Sequence, residues 1–179
     1  MRVLILGGSK SGKSHIAQEL VKELASGGKM YYWATMEPTD SEDEERIEKH
    51  LIDRAGWGFE TIECGRDIKS VHPIEGSSVL FDSVTALLAN EMFCTAEPDA
   101  GASRRVLDDI LYVSERADHF VCVCDEVFRE GVEYGGWTDE YIRGLAGICR
   151  GLAEEFDAVV EVCAGRLKYH KGVLPGFEV

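Results

Sequence analysis

The chain has 179 residues, of which 45% are hydrophobic and 9% aromatic, so it has the composition of an ordinary soluble globular protein and the length of one domain over residues 1–179. Its 19 Lys and Arg against 33 Asp and Glu give a net charge of −14, which disfavours a general nucleic-acid or membrane-surface binder. The apolar start is too short for a signal peptide and no segment approaches transmembrane length, so we expect a cytoplasmic protein without a membrane span.

The first predicted element, a buried strand over Val3 to Leu6, runs straight into a glycine-rich loop. That loop satisfies the phosphate-loop pattern G-x-x-x-x-G-K-[ST] and consists of Gly7, Gly8, Ser9, Lys10, Ser11, Gly12, Lys13 and Ser14. Glycines let backbone N–H groups turn toward phosphate oxygens, Lys13 supplies a cation for the β- and γ-phosphates, and the Ser14 hydroxyl can ligate Mg²⁺. A helix over residues 14–25 points its N-terminal dipole at the same phosphates. A plain Gly/Ser turn is the alternative, but pattern, strand and helix together favour nucleotide binding.

A second strand is predicted over Met30 to Thr35, and its end lies at the carboxyl edge of a parallel sheet, where ligands of open α/β folds bind. A helix follows that is capped by one of residues 39–41 and reaches about Arg54. It carries Arg46, His50 and Arg54 on one face at four-residue spacing. Spacing alone favours a solvated charged helix with an incidental histidine. Residues 57–63 fit another strand or an extended segment.

Two later apolar runs end in acidic residues. Residues 79–82 form a predicted strand ending at Asp82, which either ligates Mg²⁺ beside the phosphate loop or caps the next helix. Residues 119–124 form a strand ending at Asp125 and Glu126, which either position a metal or a water or begin a polar loop. Between and after these strands, helices are predicted over residues 83–93, 104–116 and 138–156, and a last strand over residues 157–163. Residues 67–78 are polar and turn-rich, and residues 164–179 give no basis for a prediction.

Strands and helices alternate from end to end, which indicates an α/β fold with a mostly parallel central sheet covered by helices on both faces. With the phosphate loop, this predicts a three-layer P-loop NTPase fold of the RecA-like type. The six cysteines show neither a C-x-x-C pair nor a zinc spacing, and we expect them to be buried reduced thiols.

Several short motifs follow one another in order across residues 2–163. They are GGSKSGKS, Tyr32-Trp33-Ala34-Thr35, Glu42 with Arg46-Ile47 and His50, then Arg54, Phe59 with Thr61 and Glu63, Asp82-Ser83-Val84-Thr85 with Asn90, and Asp125-Glu126-Val127. Each is weak after the phosphate loop, but their joint order and spacing are specific. Together they resemble the bifunctional adenosylcobinamide kinase/adenosylcobinamide-phosphate guanylyltransferase family of cobalamin biosynthesis. Departures from the family pattern are Asp125 for the usual Asn, Phe128 for Gly and Arg150 for Asn.

The resemblance implies a catalytic role for His50, as the nucleophile that takes GMP from GTP, together with Lys13. It places nucleotide contacts at Ala34, Thr35, Met36, Asp53, Arg54, Glu63 and Asp82, metal ligands at Ser14 and Asp82, and supporting roles at Arg46 and Glu126. The substrates implied are GTP or ATP with Mg²⁺ and a corrinoid, adenosylcobinamide, and family members are associated with a homotrimer.

Two further functions remain open on the sequence. One is a P-loop kinase of another small hydroxyl substrate in which His50 is structural. The other is a nucleotide-dependent regulatory protein without transfer chemistry. A GTPase switch is disfavoured because the chain has no N-K-x-D motif and no D-x-x-G after the Asp82 strand.

Overall fold

The computed structural model describes residues 1–38, 56–71, 74–128 and 132–177. The elements are β1 (Arg2–Gly7), α1 (Lys13–Ala25), β2 (Lys29–Ala34), β3 (Glu60–Glu63), β4 (Ser77–Asp82), α2 (Val84–Met92), α3 (Ala102–Ser114), β5 (His119–Asp125), α4 (Gly136–Glu155), β6 (Ala158–Cys163) and β7 (Arg166–Lys171), with a short 3₁₀ turn over Ile68–Ser70. The strands and helices predicted within these ranges therefore form, with ends shifted by one to three residues, whereas the helix predicted to reach about Arg54 lies outside the described residues.

The strands form one seven-stranded sheet in the order β3-β2-β4-β5-β1-β6-β7. Strands β1 to β6 pair in parallel, and β7 pairs antiparallel with β6. Because the parallel strands all end on one edge, the order brings the ends of β4 and β5 beside the phosphate loop that follows β1. This order, more than any single element, builds the site.

Side chains of the central strands alternate between two apolar cores, as the period of two of a strand requires. In β1, Val3 and Ile5 face the core beneath α1, while Leu4 faces the opposite core. The second core is formed with α2, α3 and α4 and includes the buried Phe81 and Phe120. Helices thus cover both faces of the sheet, and the predicted α/β fold with a mostly parallel sheet is confirmed. Within the described residues, none of the helices combines the length and apolar character needed to cross a membrane.

Three details differ from the sequence-based expectations. Residues 166–171, for which nothing was predicted, form the antiparallel edge strand β7. The turn-rich segment after Asp67 buries Ile68 and Ile74, each 1% exposed, against the larger core. The expectation of buried cysteines is wrong for Cys94 and Cys163, which are exposed, and Cys64 is only half-buried. Cys94 follows the end of α2, and Cys163 is the last residue of β6.

Candidate active site

The phosphate loop links β1 to α1 in the conformation that its glycines allow. Gly12 at the start of α1 has φ 95°, and Lys10 has φ 57°, a left-handed backbone conformation that lets successive N–H groups turn toward an anion. Among the described residues no side chain caps α1, which leaves the first N–H groups of the helix for an anion. The start of the loop packs closely against β6, because a Cβ added at Gly7 would lie only 2.7 Å from the Val162 carbonyl oxygen.

Lys13 lies inside this loop and is nearly buried. Its ammonium is 2.6 Å from Asp125 Oδ1 and donates to the Gly8 carbonyl oxygen at 3.3 Å. Asp125 ends β5 and lies opposite Gly7 in the register of β1 and β5. The next residue, Glu126, donates its backbone N–H to the Gly7 carbonyl oxygen at 3.1 Å. The end of β5 is thereby fixed to the phosphate loop.

Asp82 ends β4, the strand next to β5, and so lies at the same edge of the sheet. Tyr32 on β2 donates its hydroxyl proton to Asp82 Oδ2 at 2.6 Å, which orients the carboxylate. Hydroxyl and carboxylate oxygens such as those of Ser14 and Asp82 are the ligands that Mg²⁺ prefers. The described residues contain no group of three or more His, Cys, Asp or Glu side chains that could hold a metal.

A buried hydroxyl joins the end of β2 to the start of α2. Thr35 is completely buried, and its Oγ1 donates to the Ser83 carbonyl oxygen at 2.8 Å and accepts from the Ser83 N–H at 2.7 Å. Asn90 on α2 donates through Nδ2 to the carbonyl oxygens of Thr35, at 2.7 Å, and Gly65, at 3.0 Å. These contacts give the Thr35 side chain a structural task beside the nucleotide contact implied by the resemblance.

Thr85 and Tyr141 support the end of β5 from the other core. The Asp125 N–H donates to Thr85 Oγ1 at 2.8 Å, and the Tyr141 hydroxyl donates to the Thr85 carbonyl oxygen at 3.0 Å. Burial raises the pKa of Tyr141, so it remains a hydrogen-bond donor at neutral pH. A hydrogen bond from Cys149, 3.5 Å away, and then burial raise the pKa of Cys124 well above its usual value. The Tyr141 and Cys124 side chains below Asp125 are therefore uncharged at neutral pH.

The structure brings together the phosphate loop, Asp82 and Glu126 at one edge of the sheet, as the sequence indicated. Ala34 and Met36 follow at the end of β2 and are half-buried, and Glu63 ends β3 and is exposed. Four predicted site residues lie outside the described residues: Arg46, His50, Asp53 and Arg54. Sequence reasoning missed the pairing of Lys13 with Asp125 and the supporting roles of Tyr32, Thr85 and Tyr141. Of the three supporting residues, Tyr32 and Thr85 belonged to quoted motifs, whereas Tyr141 did not.

The chain matches the family described as "Cobinamide kinase / cobinamide phosphate guanyltransferase" over residues 3–168. It is similar to the bifunctional adenosylcobalamin biosynthesis protein CobP of Pseudomonas aeruginosa, with 30% identity over 168 residues that cover 92% of this chain and 94% of the relative. The bifunctional adenosylcobalamin biosynthesis protein CobU of Salmonella typhimurium is 28% identical over 180 residues, covering 92% and 97%. Among solved structures, the flagellar accessory protein FlaH of Methanocaldococcus jannaschii has a similar fold, with a TM-score of 0.52 and 14% identity over 96% of this chain and 78% of that one.

Proposed function

Because the chain belongs to the cobinamide kinase/cobinamide phosphate guanyltransferase family, which its match over residues 3–168 establishes, we propose that it phosphorylates adenosylcobinamide and then transfers GMP from GTP to adenosylcobinamide phosphate. The observation that carries the proposal is the phosphate loop around the nearly buried Lys13, closed by the acidic ends of β4 and β5. Both reactions need a bound triphosphate whose negative charge is offset by the protein, and the phosphate loop with Lys13 is suited to bind it and offset that charge.

In the guanylyl transfer, we propose His50 as the nucleophile. Neutral imidazole nitrogen attacks the α-phosphorus of GTP, a nitrogen–phosphorus bond forms, the bond to the β-phosphate oxygen breaks, and pyrophosphate leaves. Lys13 and the N–H groups at the start of α1 hold the charge on the leaving pyrophosphate. A phosphate oxygen of adenosylcobinamide phosphate then attacks the same phosphorus and releases the histidine.

In the kinase reaction, the hydroxyl oxygen of adenosylcobinamide attacks the γ-phosphorus of GTP or ATP and loses its proton to water, while the bond from the γ-phosphorus to the bridging oxygen breaks and the nucleoside diphosphate leaves. Lys13 stabilises the charge that develops between the β- and γ-phosphates. Magnesium, when bound through Ser14 and Asp82, neutralises phosphate charge in both reactions. By the same family membership we infer a homo-oligomer, a trimer, that acts in the cytoplasm.

Labelling with GTP carrying a radioactive α-phosphate tests the histidine step directly. We expect wild-type protein to become covalently labelled, with label that is acid-labile and alkali-stable, and His50→Ala to take up none. His15→Ala is a matched control, because His15 is an exposed histidine one residue beyond the phosphate loop and its loss is expected to leave labelling intact. Lys13→Ala is expected to lower labelling by about a hundredfold or more. Tight GTP binding without label would refute the guanylylated histidine.

A second assay separates the two activities. Wild-type protein, adenosylcobinamide and ATP or GTP labelled at the γ-phosphate are expected to yield labelled adenosylcobinamide phosphate, and His50→Ala is expected to retain this reaction while losing guanylyl transfer. If labelled phosphate reaches no corrinoid but does reach another small hydroxyl compound, the chain is a P-loop kinase of a different substrate. If no transfer occurs at all, a regulatory nucleotide-binding protein accounts for the phosphate loop.

A further inference from the structure

The cation that the phosphate loop offers to a nucleotide already has a carboxylate partner. The ammonium of Lys13 is 2.6 Å from Asp125 Oδ1, and the side chain of Lys13 is only 10% exposed while that of Asp125 is 35% exposed. Poor access of water strengthens the attraction between the two charges compared with a surface pair. A polyphosphate that binds in the loop therefore has to compete with Asp125 for Lys13.

The backbone of Asp125 is also fixed beside the loop, which keeps its short side chain near Lys13. Its backbone N–H donates to Thr85 Oγ1, its register partner is Gly7, and the following N–H is bonded to the Gly7 carbonyl oxygen. Thr85 is in turn bonded by Tyr141. When phosphate oxygens take over Lys13, the Asp125 carboxylate stays close to them and faces negative charge.

From this geometry we propose that Asp125 makes nucleotide binding conditional on a divalent cation. A metal-free nucleotide has to share the positive charge of Lys13 with Asp125, and its phosphates are repelled by the Asp125 carboxylate. A nucleotide that arrives with Mg²⁺ brings positive charge of its own, which offsets the carboxylates at the ends of β4 and β5. Asp125 is thus a specificity-determining residue that selects the metal-bound form. The inference rests on the proposed use of nucleotides at this site, but on neither transfer reaction.

The test compares dissociation constants for α,β-methylene-GTP, which cannot transfer GMP, in excess Mg²⁺ and in EDTA. We expect wild-type protein to bind the metal-free analogue much more weakly than the Mg²⁺ form. Asp125→Asn keeps the shape and backbone bonds of the residue but removes its charge, and is expected to tighten metal-free binding by about tenfold while changing binding with Mg²⁺ by less than about threefold. Asp118→Asn, which removes the same charge before the opposite end of β5, is the matched control and is expected to leave both constants unchanged.

Several results would overturn the inference. One is an Asp125→Asn protein whose binding in EDTA is unchanged, because then Asp125 does not compete for Lys13. Another is loss of binding only in Mg²⁺, which would make Asp125 a ligand of the metal. Failure of wild-type protein to bind the analogue with Mg²⁺ would also overturn it. If Asp125→Asn does not fold by circular dichroism, Asp125→Ser removes the same charge and is read in the same way. Because no group is transferred in this assay, absence of the guanylylated histidine does not affect its outcome.

Discussion

Replacing Thr35 by valine tests whether one buried hydroxyl holds the end of β2 against the start of α2. Thr35 is 0% exposed and exchanges two hydrogen bonds with the backbone of Ser83, at 2.7 and 2.8 Å. Valine has nearly the same shape, so the substitution removes both bonds with little change in packing. The Ser83 N–H then stays buried without an acceptor, whereas its carbonyl oxygen keeps the bond that it accepts from Leu87 N–H at 3.1 Å.

The expected cost follows from these two unequal losses. An unsatisfied buried N–H costs about 1–3 kcal/mol, and a carbonyl that keeps one of two partners loses about 0.5–1 kcal/mol. Thr35→Val should therefore lower the free energy of unfolding by about 1.5–4 kcal/mol. For a chain of this length each kcal/mol lowers the melting temperature by about 2–4 °C, so we expect a fall of roughly 3–16 °C.

Urea unfolding followed by circular dichroism measures this loss, and the slope of free energy against denaturant should remain that of wild type. Thr35→Ser is the matched control, because it keeps the hydroxyl and loses only a buried methyl group, at a cost of about 1 kcal/mol. The valine variant should be the less stable of the two. If valine is as stable as serine, the hydroxyl does not hold these elements together and the reasoning fails.

Two further substitutions test the loop and its support. A Cβ at Gly7 would lie 2.6 Å from Ser11 Oγ and 2.7 Å from the Val162 carbonyl oxygen, whereas one at Gly8 would meet no described atom within 4 Å. In urea unfolding, Gly7→Ala should therefore lower the free energy of unfolding by about 1–3 kcal/mol, and Gly8→Ala should lower it by less than about 1 kcal/mol. Equal stability of these two variants would contradict the proposed packing. Burial raises the pKa of Tyr141, so above a pH of about 10 the unfolded chain releases the phenol proton while the folded chain keeps it. The free energy of unfolding therefore falls by about 1.4 kcal/mol per pH unit in that range. Tyr141→Phe should be less stable than wild type at pH 8 and lose that disadvantage by pH 11, and a difference that does not vary with pH would show that Tyr141 titrates normally.

Much of the fold could be predicted because its information is local. The apolar runs that became β1, β4 and β5 are each bounded by a loop or an acidic residue, and the helices carry apolar stripes that are visible in the sequence. Strand β7 was not predicted, although the sequence there has two features of a hairpin strand. Leu167 and Tyr169 alternate with polar and charged residues, and a two-residue turn of Ala164 and Gly165, both with positive φ, precedes the strand. An edge strand that buries only one face has a weak hydrophobic signal, and the glycines and proline of the tail masked it.

The site was predictable in part for the same reason. Residues 7–14 are contiguous, so their pattern stands in the sequence itself. The partner of Lys13 cannot be found in a contiguous pattern, because Asp125 is far away in the sequence and lies beside Lys13 only since β5 is next to β1 in the sheet. The acidic residues at the ends of β4 and β5 stand out in the sequence, but no local pattern indicates which carboxylate pairs with the lysine and which accepts from Tyr32.

The turn between β6 and β7 has a consequence for the order in which the chain matures. Gly165 donates its N–H to the Ser11 carbonyl oxygen at 3.0 Å, so the loop that is synthesised almost first gains this support almost last. A chain still emerging from the ribosome has the whole phosphate-loop sequence but lacks this brace until residue 165 is free to fold. We therefore expect α,β-methylene-GTP to bind and stabilise the full chain more than a chain ending at residue 163, which lacks both Gly165 and β7.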